Sequence, residues 1–166
     1  IGAGYVGLSL SVLLSRKHQV VTLDVIPEKV DLINNGRSPI ADKDIERCLS
    51  EGNLDLVATL EYGDCEGSDY FIIATPTDYN SEIDSFDTRS IEDALDNIER
   101  ICPGATVVIK STVPIGYTSS ISQKRNKVNL LFSPEFLREG RALYDNLYPS
   151  RIVVGSLKEE DRKSVV

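Results

Sequence analysis

Gly2-Ala3-Gly4-Tyr5-Val6-Gly7 is the stretch that decides the fold, because it has the G-x-G-x-x-G spacing of a turn between a β-strand and an α-helix. Gly2 permits the tight turn, Gly4 lets the backbone approach a diphosphate without a Cβ in the way, and Gly7 lets the helix pack closely on the strand. The diphosphate meets the N–H groups that open the helix and the positive end of its dipole. The stretch therefore predicts a dinucleotide-binding turn, with the diphosphate over the backbone of residues 4–6.

A second predicted strand ends in a carboxylate at the offset that such a site requires. Asp24 lies 20 positions after Gly4 (24 − 4 = 20). There it accepts hydrogen bonds from ribose hydroxyls and repels a 2′-phosphate, which favours NAD over NADP. Lys29 is the one nearby feature that favours a 2′-phosphate, and we count it among the cofactor-binding residues. In the alternative interpretation the glycines only form a turn and Asp24 caps the helix that begins near Pro27.

Apolar stretches rich in β-branched residues alternate with segments of helical spacing along the chain. The predicted strands are Val20 to Val25, Leu54 to Ala58, Tyr70 to Ala74, Ala105 to Lys110, Val128 to Phe132 and Ile152 to Val154. The predicted helices are Val6 to Arg16, Pro27 to Asn34, Asp42 to Ser50, Thr88 to Ile101 and Thr118 to Arg125. This alternation predicts a doubly wound α/β fold of the Rossmann type, with a mostly parallel sheet and helices on both faces.

Composition narrows the class of protein. A chain of 166 residues matches one domain, and a formal net charge of −8 argues against an extended basic surface for nucleic acid or an anionic membrane. No apolar run approaches the ~20 residues of a membrane span.

Cys48, Cys65 and Cys102 are too scattered for a zinc site or a disulfide framework, which predicts a reducing cytoplasm and no metal. We expect Cys48 on a surface helix, Cys65 in a polar loop, Cys102 at a helix end and His18 exposed in a loop.

Three further stretches are absent from generic dinucleotide-binding domains. They are Thr75-Pro76-Thr77, Lys110-Ser111-Thr112-Val113-Pro114-Ile115-Gly116 and Ser133-Pro134-Glu135-Phe136-Leu137-Arg138-Glu139-Gly140. On these motifs the chain resembles the UDP-glucose/GDP-mannose dehydrogenase family essentially from end to end. The third motif is the most specific. The tail from Ala142 to Arg151 is similar to the UDP-glucose dehydrogenases of that family in particular.

The resemblance implies an NAD-dependent oxidoreductase of polysaccharide biosynthesis that oxidises the C6 alcohol of UDP-glucose to a carboxylate, giving UDP-glucuronate. Two NAD molecules are used, and the intermediates are a cysteine-bound thiohemiacetal and a thioester. It also implies a homodimer. The family's nucleophile lies in a Gly-Gly-x-Cys motif that this sequence lacks. Because only Ile1 remains of the strand before the glycine turn, and residues 163–166 look like mid-helix, we expect residues 1–166 to be an N-terminal NAD-binding fragment without the central helix and the C-terminal UDP-sugar domain.

The resemblance also implies roles for individual residues. Glu135 positions or activates the hydrolytic water, while Thr112 and Glu139 line the nicotinamide and the reaction centre. Further cofactor contacts are Thr75, Pro76, Thr77 and Ser111, and further substrate contacts are Phe136, Leu137, Arg138 and Glu139. Arg138 and Arg151 suit the diphosphate of a UDP-sugar.

Ordinary structural interpretations exist for the same residues. Pro-Glu is typical of a helix amino terminus, and the Ser and Thr residues are typical of caps and turns. Glu135 and Glu139 are four positions apart, so a helical turn would place both on one face.

Other functions remain open on the sequence. The substrate could be GDP-mannose or an N-acetylated UDP-hexosamine. A β-hydroxyacid dehydrogenase opens with a similar glycine turn, although the motif at residues 133–140 argues against it. A non-catalytic NAD-binding module is the alternative outside the enzymes.

Overall fold

The computed structural model describes residues 1–81 and 85–155. The described residues belong to two compact units. Unit 1 comprises Ile1–Cys65 and Phe136–Arg151, and unit 2 comprises Glu66–Glu135 and the segment from Ile152 onward. The predicted helical end at 163–166 lies outside the described residues.

Helices and strands alternate along the chain as predicted. In chain order the elements are α1 (Tyr5–Leu14), β1 (Val20–Leu23), α2 (Pro27–Asn34), α3 (Lys43–Glu51), β2 (Leu56–Thr59), a 3-10 helix (Tyr62–Cys65), β3 (Tyr70–Ile73), β4 (Tyr79–Asn80), β5 (Ser85–Phe86), α4 (Arg89–Ile101), β6 (Thr106–Ile109), α5 (Tyr117–Lys124), β7 (Asn129–Phe132) and α6 (Ala142–Leu147). No helix in the described ranges has the length and apolar character needed to cross a membrane.

Unit 1 is built on the parallel pair β1 and β2, with a register that runs from Val20 opposite Leu56 to Leu23 opposite Thr59. Gly2 N–H donates to the carbonyl of Leu23 at 2.7 Å, so the chain lies beside the end of β1 before it turns into α1. α1 and α3 bury the apolar residues of this unit, including Leu8, Val12, Ile45 and Leu49.

The expectation that Cys48 lies on a surface helix is wrong, because its side chain is buried. Ile45, Cys48 and Leu49 are buried on α3 and have the i, i+3, i+4 spacing of a core-facing stripe. Arg47, which suggested a surface helix, lies on the exposed face of the same helix. Cys65 is also buried, in the 3-10 helix rather than in a polar loop.

Unit 2 is built on a three-stranded parallel sheet in the order β3-β6-β7. Ile73 pairs with Ile109, and Ile109 pairs with Phe132, so the three strands end in line. α4 buries Ile91, Ala94, Leu95 and Ile98 at helical spacing. The strands and crossover helices of both units confirm the predicted α/β fold with parallel strands.

One prediction near the end of the chain is wrong, and some short elements were not predicted. The predicted strand Ile152 to Val154 does not form, and an isolated antiparallel bridge joins Phe132 to Gly155 instead. β-branched residues favour strands only where a neighbouring strand supplies partners, and Ile152 and Val153 remain exposed. The short helix α6 was not predicted, and neither was the β4–β5 pair inside the irregular stretch 75–86.

Asp42, where the sequence predicts the start of a helix, is the buried N-cap residue of α3. Its Oδ1 accepts hydrogen bonds from the N–H groups of Asp44 and Ile45 at 3.1 and 3.2 Å, which satisfies two donors at the start of α3. Its Oδ2 lies 3.4 Å from the N–H of Leu143 at the start of α6. The residue is 2% exposed, so one buried carboxylate serves two helix starts of unit 1.

We predict that Asp42→Ala lowers the free energy of unfolding by about 2–3 kcal/mol, because it removes a cap and leaves buried N–H donors unsatisfied. Urea unfolding followed by circular dichroism measures the change. Asp31→Ala, on an exposed position of α2, is the control and should change stability by less than about 0.5 kcal/mol. Equal losses in the two variants would contradict the buried-cap interpretation.

Candidate functional site

The glycine turn has the geometry that the sequence predicts. Gly2 has a φ of 94°, in the left-handed region that favours glycine. Gly4 precedes α1 as its N-cap residue in extended conformation, and Gly7 is buried on the helix. The first helical hydrogen bond of α1 runs from Leu8 N–H to the Gly4 carbonyl at 2.9 Å. The N–H groups of residues 5–7 precede that bond and therefore have no partner within the helix.

Open space lies directly over Gly4. A Cβ built on Gly4 would meet no heavy atom within 4 Å, so the missing side chain leaves an open approach to the backbone. The positive end of α1 lies at the same place. The open approach and the helix start lie where the motif predicts a diphosphate, and the binding of that group stays a prediction.

Asp24 is buried, 6% exposed, and joins the turn to the end of β1. Its Oδ2 accepts a hydrogen bond from Ala3 N–H at 2.7 Å, and its Oδ1 accepts one from Ile26 N–H at 3.0 Å. Lys29 Nζ lies 3.4 Å from Oδ2. The N-cap of α2 is Ile26, without a side-chain cap bond, so Asp24 is not the helix cap of the alternative interpretation. A carboxylate has about four acceptor positions, which leaves capacity for a ribose hydroxyl.

At the carboxyl edge of the unit 2 sheet, the structure brings together two of the motifs. Ser111 Oγ donates to the Thr75 carbonyl at 2.7 Å, and Thr77 Oγ1 donates to the Thr112 carbonyl at 2.7 Å. Pro76 lies within the same loop, and its carbonyl accepts a hydrogen bond from Ser90 Oγ. The hydroxyls of Ser111 and Thr77 thus tie the loop after β3 to the loop after β6.

Glu135 lies at this edge of unit 2 and forms an ion pair with Lys110 that was not predicted from the sequence. Its Oε2 is 3.1 Å from Lys110 Nζ, and the side chains are 17% and 10% exposed. Lys110 Nζ also donates to Ser133 Oγ at 3.3 Å. The signal was available: Lys110 opens one family motif and Ser133 opens another, and each follows a predicted strand directly.

Glu135 and Glu139 do not lie in a helical turn, so their four-residue spacing gives them no shared helix face. Residues 133–138 form no helix, and α6 begins only at Ala142. Pro134 disfavours helical backbone at the residue before it. Beyond it, the Arg138 backbone N–H donates to Asp145 Oδ2 at 2.9 Å, which holds the segment in a loop. The Pro-Glu pair is likewise not a helix start.

Arg138, a predicted substrate contact of unit 1, is already engaged by a carboxylate. Its Nε and Nη2 lie 3.0 and 2.7 Å from the two oxygens of Asp145. Hydrogen bonds from the Arg138 side chain and backbone lower the pKa of Asp145 from 3.8 to about 2, so this pair stays charged near neutral pH. Arg151 stacks over the Phe136 ring at 4.2 Å. Phe136, Arg138 and Glu139 are exposed, and Leu137 is partly buried.

The remaining titratable candidates lie apart from these contacts. Cys48, Cys65 and Cys102 are buried and not disulfide-bonded. His18 is exposed in the turn after α1, as predicted. In the part of the chain that the structure describes, no group of three His, Cys, Asp or Glu side chains is placed to hold a metal ion.

The chain is similar in sequence and in structure to known dehydrogenases. The UDP-glucose/GDP-mannose dehydrogenase family, NAD binding domain, matches residues 1–166. The chain is 53% identical to a UDP-glucose 6-dehydrogenase of Streptococcus pneumoniae and 51% identical to one of Campylobacter jejuni, over 93% of this chain in each case. Each match spans 40% of the relative's length. A GDP-mannose dehydrogenase structure from Pseudomonas aeruginosa superposes with a TM-score of 0.84 at 30% identity, over 98% of this chain and 41% of that one.

We predict that Gly4→Val abolishes NAD binding and leaves the fold intact. The Cβ of the new side chain would lie in the open space over the turn, so we expect the loss to come from blocking the diphosphate. Isothermal titration with NAD and circular dichroism of the purified chain measure the two effects. Gly63→Val is the matched control in unit 1, since a Cβ at Gly63 also meets open space. Retained NAD binding by a folded Gly4→Val variant would show that the cofactor binds elsewhere.

Proposed function

Since the chain belongs to the UDP-glucose/GDP-mannose dehydrogenase family, we propose that it is the NAD-binding part of an enzyme that oxidises UDP-glucose to UDP-glucuronate. The predicted family and fold class are confirmed. The chain spans 40% of the length of the relatives it matches, so the activity proposed is that of a whole enzyme.

The observation that carries the choice of UDP-glucose is the identity of 53% and 51% to two UDP-glucose 6-dehydrogenases. The identity to the GDP-mannose dehydrogenase is 30%. The segment from Ala142 to Arg151, which resembles the UDP-glucose dehydrogenases, lies in unit 1 and contains α6. The identities support UDP-glucose over GDP-mannose as the substrate.

The proposed reaction removes four electrons from C6 of the glucose. The alcohol first loses a hydride to NAD⁺ and a proton, which gives an aldehyde. A cysteine thiol supplied by the rest of the enzyme adds to the aldehyde carbon. The resulting thiohemiacetal loses a second hydride to a second NAD⁺ and a second proton, which gives a thioester. Water then attacks the carbonyl carbon, the C–S bond breaks, and the carboxylate and the thiol are released with a third proton.

For the cofactor, we assign the diphosphate to the backbone of Gly4, Tyr5 and Val6 and a ribose to Asp24. The open space over Gly4 and the helix start support the first assignment. The position of Asp24 at the end of β1 supports the assignment of the ribose. Lys29 offsets part of the Asp24 charge. When bound, NAD accepts the hydride, while the residues named here bind and orient it.

For the hydrolytic step, we assign the proton acceptor to Glu135. It is a carboxylate at the strand edge of unit 2, 17% exposed, and held in place by Lys110 and its loop. A carboxylate in hydrogen-bond reach of water serves as a general base. Thr112 and Glu139 remain predictions for the reaction centre. We further propose that the whole enzyme is a homodimer and that it works in a reducing cytoplasm. The three buried cysteines, which form no disulfide, support the reducing compartment.

We predict that Glu135→Gln in the whole enzyme slows thioester hydrolysis by about 10²–10⁴-fold, because an amide can orient water but cannot accept its proton. The first hydride transfers should proceed, so a burst of NADH should appear and a covalent sugar-nucleotide adduct should accumulate. Stopped-flow absorbance and intact-protein mass spectrometry measure the burst and the adduct.

Glu66→Gln, at an exposed position of unit 2, is the matched control and should turn over at the parent rate. Loss of the burst without any adduct would show that Glu135 acts before hydrolysis.

The parent enzyme should use UDP-glucose in preference to GDP-mannose and UDP-N-acetylmannosamine. Preference for either of those sugars, or activity only on a β-hydroxyacid, would overturn the substrate assignment. Binding of NAD with no dehydrogenase activity at all would indicate a non-catalytic module.

A further inference from the structure

Lys110 occupies an unusual position for a lysine. It is the first residue after β6, the central strand of the unit 2 sheet, and its backbone N–H donates to the Ile73 carbonyl of β3 at 2.8 Å. Its side chain is only 10% exposed. Lysine side chains are rarely buried unless they are paired, so the contacts of the ammonium require an explanation.

The ammonium bridges the ends of two neighbouring strands. Ile109 pairs with Phe132, so Lys110 and Ser133 follow the last register pair of β6 and β7. Lys110 Nζ lies 3.3 Å from Ser133 Oγ and 3.1 Å from Glu135 Oε2. The lysine therefore reaches from one strand end to the loop that carries the proposed proton acceptor.

Stability is a poor explanation for this pair. Removing two charges from water costs about as much as their attraction returns, and buried ion pairs are often replaced by apolar residues without loss of stability. What a charge-assisted hydrogen bond does provide is direction, because it fixes the rotation of the carboxylate about its last side-chain bond. A general base depends on that direction, since it must meet the water at hydrogen-bond distance.

We propose that Lys110 is a positioning residue for Glu135, and this rests on the proposed function. Its ammonium holds one carboxylate oxygen and so orients the carboxylate for the hydrolytic step. In that step the water oxygen bonds to the thioester carbon, the sulfur leaves with the electron pair of the C–S bond, and a water proton passes to Glu135. Lys110 takes no proton itself and acts only through Glu135.

The test uses Lys110→Met in the whole enzyme, which keeps the length of the side chain and removes the charge. We expect thioester hydrolysis to slow by about 10–100-fold, the scale expected for misplacing a catalytic group by about 1 Å. The NADH burst and the affinity for NAD should stay within about two-fold of the parent. Lys110→Arg should recover part of the hydrolysis rate because it restores a cationic donor. Lys127→Met, at an exposed position of the same unit, should behave as the parent.

A double-mutant cycle separates positioning from a structural role. If Lys110 acts through Glu135, adding Lys110→Met to Glu135→Gln should slow hydrolysis no further. Slowing by the full single-mutant factor in the double variant would overturn the proposal. Hydrolysis at the parent rate in Lys110→Met would also overturn the proposal. In that case, accumulation of the adduct in Glu135→Gln would still support the proposed function, because it tests Glu135 alone. If Lys110→Met fails to fold, as judged by NAD affinity and circular dichroism, Lys110→Gln gives the same comparison with a neutral donor.

Discussion

The hydrogen bond from Ala3 N–H to Asp24 Oδ2, 2.7 Å long and buried, is the contact around which the cofactor side of unit 1 is arranged. The positive φ of Gly2 turns the chain at the end of β1 just before this N–H. The second oxygen of the same carboxylate accepts the Ile26 N–H and so holds the chain that leads into α2. Because a buried carboxylate is costly without donors, these contacts explain how Asp24 is tolerated inside the unit. One side chain thereby fixes both the glycine turn and the segment after β1.

Unit 2 depends on a different constraint, the common edge at which parallel strands end. β3, β6 and β7 finish in register, so the residues that follow them meet although they are distant in sequence. Most contacts there are hydroxyl-to-carbonyl hydrogen bonds that hold loops in place, such as Ser111 to Thr75. The ion pair of Lys110 and Glu135 is a charged contact at this edge. A low-exposure ion pair of that kind contributes little net stability. Because one member of the pair, Glu135, is the proposed general base, we attribute a functional role to the pair.

The incorrect predictions share one physical cause, the use of local pattern where distant partners decide. Cys48 follows an arginine in sequence, yet its place on the i, i+3, i+4 stripe of α3 turns it inward. The four-residue spacing of Glu135 and Glu139 would place both on one face of a helical turn, but Arg138 binds Asp145 and the segment is a loop. Ile152 to Val154 has strand composition, and strands form only where a partner edge is available.

The sequence by itself determined the features that backbone sterics and periodicity control. These are the glycine turn, the alternation of strands and helices, the start of a helix near Asp42 and the offset of Asp24, each set within a short stretch of chain. It also carried the family, through motifs that match along the whole chain. Only the tertiary structure decided which donors Asp24 binds, that Arg138 is engaged by Asp145, and that Lys110 faces Glu135. A lysine after a strand has many possible partners, and the register of β6 against β7 selects this one.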